Sequence, residues 1–148
     1  MTYGYFKADE YKVLIDPKQI TKGIYPQAGD LLFSRANTKE YVGATALVEQ
    51  DYPDLMLPDK LWKLAFKPEV IPIFEKHLLS MPKMRSKLSE LATGTSGSMY
   101  NISMEKLKRL TIIIPPQELQ ELFVTRVQQI DKSKYLNSVH YMRGRKRR

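Results

Sequence analysis

The periodicity of the apolar residues changes at Pro68, and this change constrains the fold more than any other feature of the sequence. Before Pro68 the apolar residues form short runs rich in β-branched and aromatic side chains, a pattern that predicts strands. After Pro68, the residues Val70, Phe74 and Leu78 recur at four-residue spacing, which predicts an amphipathic helix over residues 69–80. Strands that come first and helices that follow favour an α+β fold.

The same patterns predict the individual elements. The predicted strands are residues 11–15, 31–34, 41–48, 60–66 and 110–114. The predicted helices are residues 69–80 and 83–92, a short helix capped by Ser103, and a last helix from Pro116 to about residue 138. We therefore expect a single domain with a mixed or antiparallel β-sheet and packed helices, followed by a long C-terminal helix. The expected boundaries are a domain over 1–115, a helix over 116–140 and a disordered basic tail over 141–148.

Composition excludes several classes of function. The 148 residues contain no cysteine, which rules out disulfides, thiol catalysis and Cys-ligated zinc. Two histidines do not support a Ser-His-Asp triad or a multi-His metal site. We predict no catalytic residue, no metal and no cofactor. The apolar runs are far shorter than the ~20 residues that span a bilayer, and the N-terminus has no signal pattern, so we expect a cytoplasmic protein without a membrane partner.

Positive charge is concentrated at the C-terminus. The formal net charge is +8, and five of these charges lie in the last six residues, which leaves +3 for the rest of the chain. Such a tail is typical of a solvated extension, and it also attracts nucleic acid. The body of the protein must therefore supply its own binding site.

Three polar segments have the residue types that contact duplex DNA. Arginine reads guanine edges and asparagine reads adenine edges, while lysines and hydroxyl groups hold phosphates. A solvated turn, a charged helix face and a flexible connector would explain the same segments. The candidate DNA-binding residues are Ser34, Arg35, Asn37, Thr38, Lys39, Lys83, Arg85, Lys87, Thr95, Ser96, Ser98, Tyr100 and Asn101.

The last helix has an apolar stripe. The stripe requires either docking on the domain or pairing with a helix of another chain, because an isolated helix would leave it in water. In the paired arrangement Gln120 is expected at the edge of the seam. The candidate pairing residues are Leu119, Leu122, Phe123, Arg126, Val127 and Ile130.

The order of several short motifs resembles the DNA specificity (S) subunits of type I restriction–modification systems. The Gly-Asp-Leu-Leu-Phe-Ser strand at 29–34 is similar to a strand of that family. So is the Ala-Thr-Gly-Thr segment at 92–95. The most similar part is Ile112-Ile113-Ile114-Pro115-Pro116, followed by Gln120 and by Ile130-Asp131. The resemblance covers about residues 25–134.

The resemblance implies one target recognition domain, shortened at its N-terminus, and the start of a spacer helix. In that family two such domains each read half of a split DNA site, and separate methyltransferase and restriction subunits carry out the chemistry. A chain with one domain is then expected to form a homodimer through residues 116–138. The leading hypothesis is a sequence-reading DNA-binding module without enzyme activity. The alternatives are an interaction module that pairs with methyltransferase or S-subunit helices without binding DNA, and an autonomous methyltransferase or nuclease.

Overall fold

A central antiparallel sheet organises the domain. The computed structural model describes residues 4–16, 23–94 and 99–145, with side chains up to residue 135. Strand β1 (Leu31–Ser34) is the middle strand of three. Its antiparallel neighbours are β3 (Thr45–Leu47) and β4 (Leu61–Leu64). The predicted pairing of the second and third strands is confirmed, and so is the α+β class.

The central strand is buried on both faces. Alternate side chains of a strand point to opposite faces. Leu31 and Phe33 accordingly join the core cluster beneath the helices, whereas Leu32 packs on the other face with Val48 and Leu57. All four residues of β1 are buried because layers of the protein cover both faces of the sheet.

Two consecutive helices cover one face of the sheet. Helix α1 (Pro72–Ser80) and helix α2 (Pro82–Leu91) both begin at a proline, where the missing N–H would have had no partner within the helix. Their buried apolar residues are Leu79, Met84 and Leu88. Both helices lie within one to three residues of their predicted bounds.

A second, small sheet closes one end of the domain. Strand β2 (Ala36–Asn37) pairs antiparallel with β5 (Tyr100–Asn101), and Thr93 forms a further bridge to Asn101. Helix α3 (Met104–Lys108) follows, and the Ser103 hydroxyl accepts a hydrogen bond from the Lys106 N–H as predicted.

Helix α4 (Gln117–Arg145) begins directly after the double proline, as predicted. It packs against α1, where the Phe123 ring meets the Phe74 and His77 rings edge-on at centroid distances of 5.4 and 5.6 Å. The helix continues to Arg145, and the expectation of a disordered tail over 141–148 stays a prediction.

Two predicted strands were wrong. Residues 11–15 form no strand, and Ile15 is 95% exposed. Residues 110–114 also form no strand; only alternate side chains reach the core, and Ile113 is 85% exposed. β-propensity describes how well a residue fits a paired, half-buried surface, and a strand also needs a neighbour with which to pair. The third predicted strand is shorter than expected because residues 38–43 turn back on themselves through Tyr41 and Val42 N–H bonds to the Thr38 carbonyl.

Candidate nucleic-acid interface

The described parts of the three predicted DNA-binding segments are neighbours around β2 and β5. Residues 36–37 pair with residues 100–101 in register, so the first and third segments share a sheet. The Ser89 hydroxyl of α2 donates to the Lys39 carbonyl at 3.3 Å, which places α2 beside the first segment. The first segment is therefore in contact with both α2 and β5, although Lys39 and Ser89 are 50 residues apart in the chain.

Arg35 is held by neighbours on β4 and the turn before it. Its Nε–H donates to the Asp59 carbonyl at 3.0 Å, and its Nη2 donates to Asp59 Oδ2 at 2.9 Å. The guanidinium carbon lies 5.7 Å from the Trp62 ring centroid, within the range of a cation–π contact. These contacts fix the orientation of Arg35 and leave part of its guanidinium uncommitted.

Ser34 and Asn37 serve the fold rather than the surface. Ser34 is 1% exposed, and its hydroxyl donates to the Ala36 carbonyl at 3.3 Å and accepts from Asn37 Nδ2 at 3.4 Å. Asn37 Oδ1 accepts the Thr38 N–H at 2.8 Å. The polar groups of both side chains bond within the turn, and the prediction that they contact DNA stays untested.

Arg85 is also a structural residue. Its Nη2 donates to the Glu40 and Val42 carbonyls at 2.8 and 2.9 Å and thereby fixes the turn at 38–43. Burial lowers the pKa of the guanidinium from its ordinary value. Arg85 was predicted to contact phosphates with Lys83 and Lys87, but position 85 faces another direction on the helix, and its half-buried side chain lies against the turn at 38–43.

Four of the predicted residues remain open to solvent. Lys83 and Lys87 lie four positions apart on α2 and therefore share one helix face. Thr38 and Lys39 are exposed in the neighbouring turn. None of the three lysines makes an ion pair with a described residue. Three unpaired ammonium groups on adjacent segments can meet a phosphate backbone.

The third segment is only partly described. Thr95, Ser96 and Ser98 lie outside the described residues. Tyr100 is half-buried against the core, and the Asn101 backbone forms two hydrogen bonds with Thr93. A Cβ atom at Gly94 would lie 2.5 Å from the Met99 carbonyl oxygen, so the close approach of the two ends of this loop requires glycine at that position.

Gln120 is buried in the domain, so its predicted position at the edge of a helix-pairing seam was wrong. It is 0% exposed instead of edging a seam. Its Oε1 accepts the Ile71 N–H at 2.9 Å, and its Nε2 donates to the Glu69 and Pro115 carbonyls at 2.9 and 2.8 Å. One amide thus ties the start of α4 to the start of α1. The position of Gln120 one turn after the double proline is the sequence feature that could have indicated this role.

The apolar stripe of α4 is partly packed against the domain and partly exposed to solvent. Phe123 packs on α1, and Val127 is half-buried. Leu119, Leu122 and Ile130 are 55%, 54% and 53% exposed, and Arg126 is exposed beside them. Docking on the domain therefore describes part of the stripe, and pairing of the exposed part with a helix of another chain stays a prediction.

Glu75 is a buried carboxyl group without a partner for its Oε2 atom among the described residues. The side chain is 2% exposed in the face of α1 that packs on the sheet. Burial disfavours the charged form and raises the pKa of Glu75 above its ordinary value. A carboxyl group in this position stabilises the fold less when it is ionised.

We expect Glu75→Gln to remove a pH dependence of stability. The folded protein keeps the proton to a higher pH than the unfolded chain, so wild-type stability should fall as pH rises from about 4.3, the ordinary value for glutamate, through the raised folded pKa. The variant should match the wild type in acid and be more stable at neutral pH, as measured by urea unfolding at several pH values. Glu90→Gln, at an exposed position of α2, is the control. A pH-independent difference between the Glu75 variant and the wild type would contradict this account.

Two kinds of feature are absent from the described ranges: a membrane-spanning helix and a group of metal-binding side chains. No helix there has the length and apolar character to cross a membrane. Within the same part of the chain, no three His, Cys, Asp or Glu side chains are grouped as they would be to hold a metal ion.

Comparisons with known proteins identify the family of this chain. Residues 2–139 match the model of the type I restriction modification DNA specificity domain. This chain belongs to that family. It is 32% identical over 106 residues to the type I restriction enzyme EcoKI specificity subunit of Escherichia coli strain K12, covering 70% of this chain. It is 26% identical over 128 residues, or 86% of this chain, to the EcoEI specificity subunit of Escherichia coli.

The match is to a part of each relative. The aligned regions cover 23% and 22% of the two specificity subunits, so the chain spans less than a quarter of their length. The family relationship therefore applies to one domain with its helix. The suspected resemblance to type I specificity subunits is confirmed at that level.

Proposed function

We propose that the chain is one sequence-reading unit of a type I specificity subunit, which binds half of a split site in double-stranded DNA. The observation that carries this proposal is the proximity of the described parts of the three segments, with three lysines that form no ion pair with a described residue, in a domain of this family. Arg35 supplies a candidate base-reading group on the same surface, and the lysines supply phosphate contacts.

Chemistry belongs to other subunits in this proposal. The chain itself is non-catalytic and holds no cofactor; it directs methyltransferase and restriction subunits to the site that it reads. The related proteins are specificity subunits by name, which supports this division of labour. The assembly is expected to work in the cytoplasm, where the DNA is.

The exposed part of the α4 stripe supports a homodimer as part of the same proposal. Leu119, Leu122 and Ile130 are each about half exposed on a helix that is already anchored by Gln120. A second copy of α4, antiparallel to the first, would cover them and bring two reading surfaces together. The same stripe favours the second candidate function, an interaction module that pairs with methyltransferase or S-subunit helices without binding DNA.

Replacing Lys39, Lys83 and Lys87 by alanine should weaken DNA binding evenly across sequences. Each lysine that neutralises a phosphate contributes about 0.9 to the slope of log affinity against log salt concentration. We expect each single variant to bind a few-fold more weakly and the triple variant to show a slope shallower by about 2 to 3. The measurement is a titration of labelled duplex by fluorescence anisotropy at several salt concentrations.

The control for this titration is Lys132→Ala, which removes an exposed charge from α4. Its slope should stay close to that of the wild type. A triple variant that keeps the wild-type slope would remove the lysines from the interface. A wild-type chain that retains no duplex at low salt but captures methyltransferase subunit would favour the interaction module instead.

A further inference from the structure

The contacts of Arg35 use one particular edge of its guanidinium. The Nε–H and one N–H of Nη2 lie side by side, and both are bonded to Asp59, at 3.0 and 2.9 Å. The Trp62 ring lies 5.7 Å from the guanidinium carbon. Asp59 therefore occupies the side edge, and Trp62 restrains the plane of the group.

The end of the guanidinium between Nη1 and Nη2 has no partner among the described residues. A guanidinium carries five N–H donors, and the remaining fork at its tip consists of N–H groups on Nη1 and Nη2. This fork matches the paired acceptors O6 and N7 on the major-groove edge of guanine. The Arg35 side chain is 29% exposed and is therefore partly open to solvent.

The backbone of Arg35 is equally well fixed. Its N–H donates to the Lys60 carbonyl at 3.0 Å, and its carbonyl accepts the Ile102 N–H at 2.9 Å. Arg35 is thus tied to both the central sheet and the segment after β5. A reading group held on rigid elements loses little freedom when it binds, and this favours discrimination.

We propose that Asp59 and Trp62 are positioning residues that hold Arg35 with its terminal fork free to read one guanine of the target. This inference rests on the proposed function, since it requires that this end of the domain contacts DNA. The Asp59 carboxylate is 90% exposed and repels phosphates. It therefore lowers the affinity for any duplex and raises the selectivity for the duplex that gives Arg35 a guanine.

Asp59→Ala should change specificity and general affinity in opposite directions. We expect the preference for guanine at one position to fall about tenfold, because Arg35 loses the Nη2 bond to Oδ2 and keeps only the Asp59 carbonyl and Trp62 to orient its fork. Affinity for a random duplex should stay equal or rise a few-fold, because a negative charge is removed. The measurements are a selection of the full chain on a randomised duplex library and anisotropy titrations with the selected and the random duplex.

Three further variants separate positioning from structure. Arg35→Lys keeps the charge without the fork and should lose the guanine preference. Asp59→Asn keeps an acceptor oxygen and should retain most of that preference. Asp54→Ala removes an exposed carboxylate from the 51–54 turn and should leave the preference unchanged.

The outcomes separate this inference from the proposed function. A wild-type chain that prefers guanine at one position and keeps that preference in Asp59→Ala would overturn the positioning role alone. If Asp59→Ala loses affinity for the selected and the random duplex in equal proportion, the positioning role is also overturned. Asp59 would then support the fold and not the choice between bases. A wild-type chain that selects no base at any position would overturn both the proposed function and this inference.

Discussion

Replacing Gln120 by alanine should lower the free energy of unfolding by roughly 2–5 kcal/mol. The Gln120 amide is fully buried and makes three hydrogen bonds, to the Ile71 N–H and to the Glu69 and Pro115 carbonyls. Alanine leaves three part-buried backbone groups without this partner, and an unsatisfied group costs about 1–3 kcal/mol when it is fully buried and less where water reaches it, as it can at the exposed Glu69. The total is a large share of the 5–15 kcal/mol that stabilises a typical domain.

Gln120→Glu tests the same contacts with nearly the same side-chain volume. The carboxylate can still accept the Ile71 N–H, but it has no N–H to donate and lies against two carbonyl oxygens that accepted from Nε2. We expect this variant to be at least as unstable as the alanine variant at neutral pH. Part of the stability should return in acid, because a protonated carboxyl group can donate once.

Urea unfolding followed by the fluorescence of Trp62, the single tryptophan, measures both variants. Far-ultraviolet circular dichroism in the same samples reports the helices. Gln128→Ala is the control, since Gln128 is exposed on the same helix and its loss should cost no more than about 0.5 kcal/mol. Equal midpoints for Gln120→Ala and Gln128→Ala would mean that the three hydrogen bonds do not hold α4 to α1.

The sequence predicted the elements that the pattern of neighbouring residues determines. Helices α1 and α2 carry an apolar face and begin at prolines, and β1 is a short apolar run between turn signals. The strand predictions at 11–15 and 110–114 were wrong, because the residues suit a strand but no neighbour in the described chain pairs with them. A strand depends on its partner, and a single sequence does not specify where that partner lies.

The candidate interface was predictable as a set of segments and not as a set of side chains. Polar composition selected three segments whose described parts are neighbours in the fold, and their contact with DNA stays a prediction. The direction of each side chain depends on tertiary contacts: Arg85 turns inward to carbonyls some 45 residues away, and Arg35 turns to Asp59, 24 residues away. Neither Asp59 nor Trp62 could be assigned a role before the pairing of β1 with β4 was known.

The double substitution Leu122→Asp with Ile130→Asp should convert a dimer of this chain into a monomer. Both side chains lie on the half-exposed part of the α4 stripe, at 54% and 53% exposure. Covering a large apolar side chain contributes about 1.5–3 kcal/mol, so the loss of two on each copy should raise the dissociation constant more than a hundredfold. Buried carboxylates would add a further penalty.

The pairing is measured by light scattering across a concentration series, against the monomer mass of 17.2 kDa. Thr125→Asp with Gln128→Asp adds the same charge at exposed positions on other faces of α4 and should leave the dimer intact. Helix content should be equal in the two variants, because the Gln120 contacts that anchor α4 are untouched. A wild-type chain that stays monomeric at high concentration would show that a second copy does not cover the stripe. The exposed leucines would then point to a helix of a different subunit as the partner.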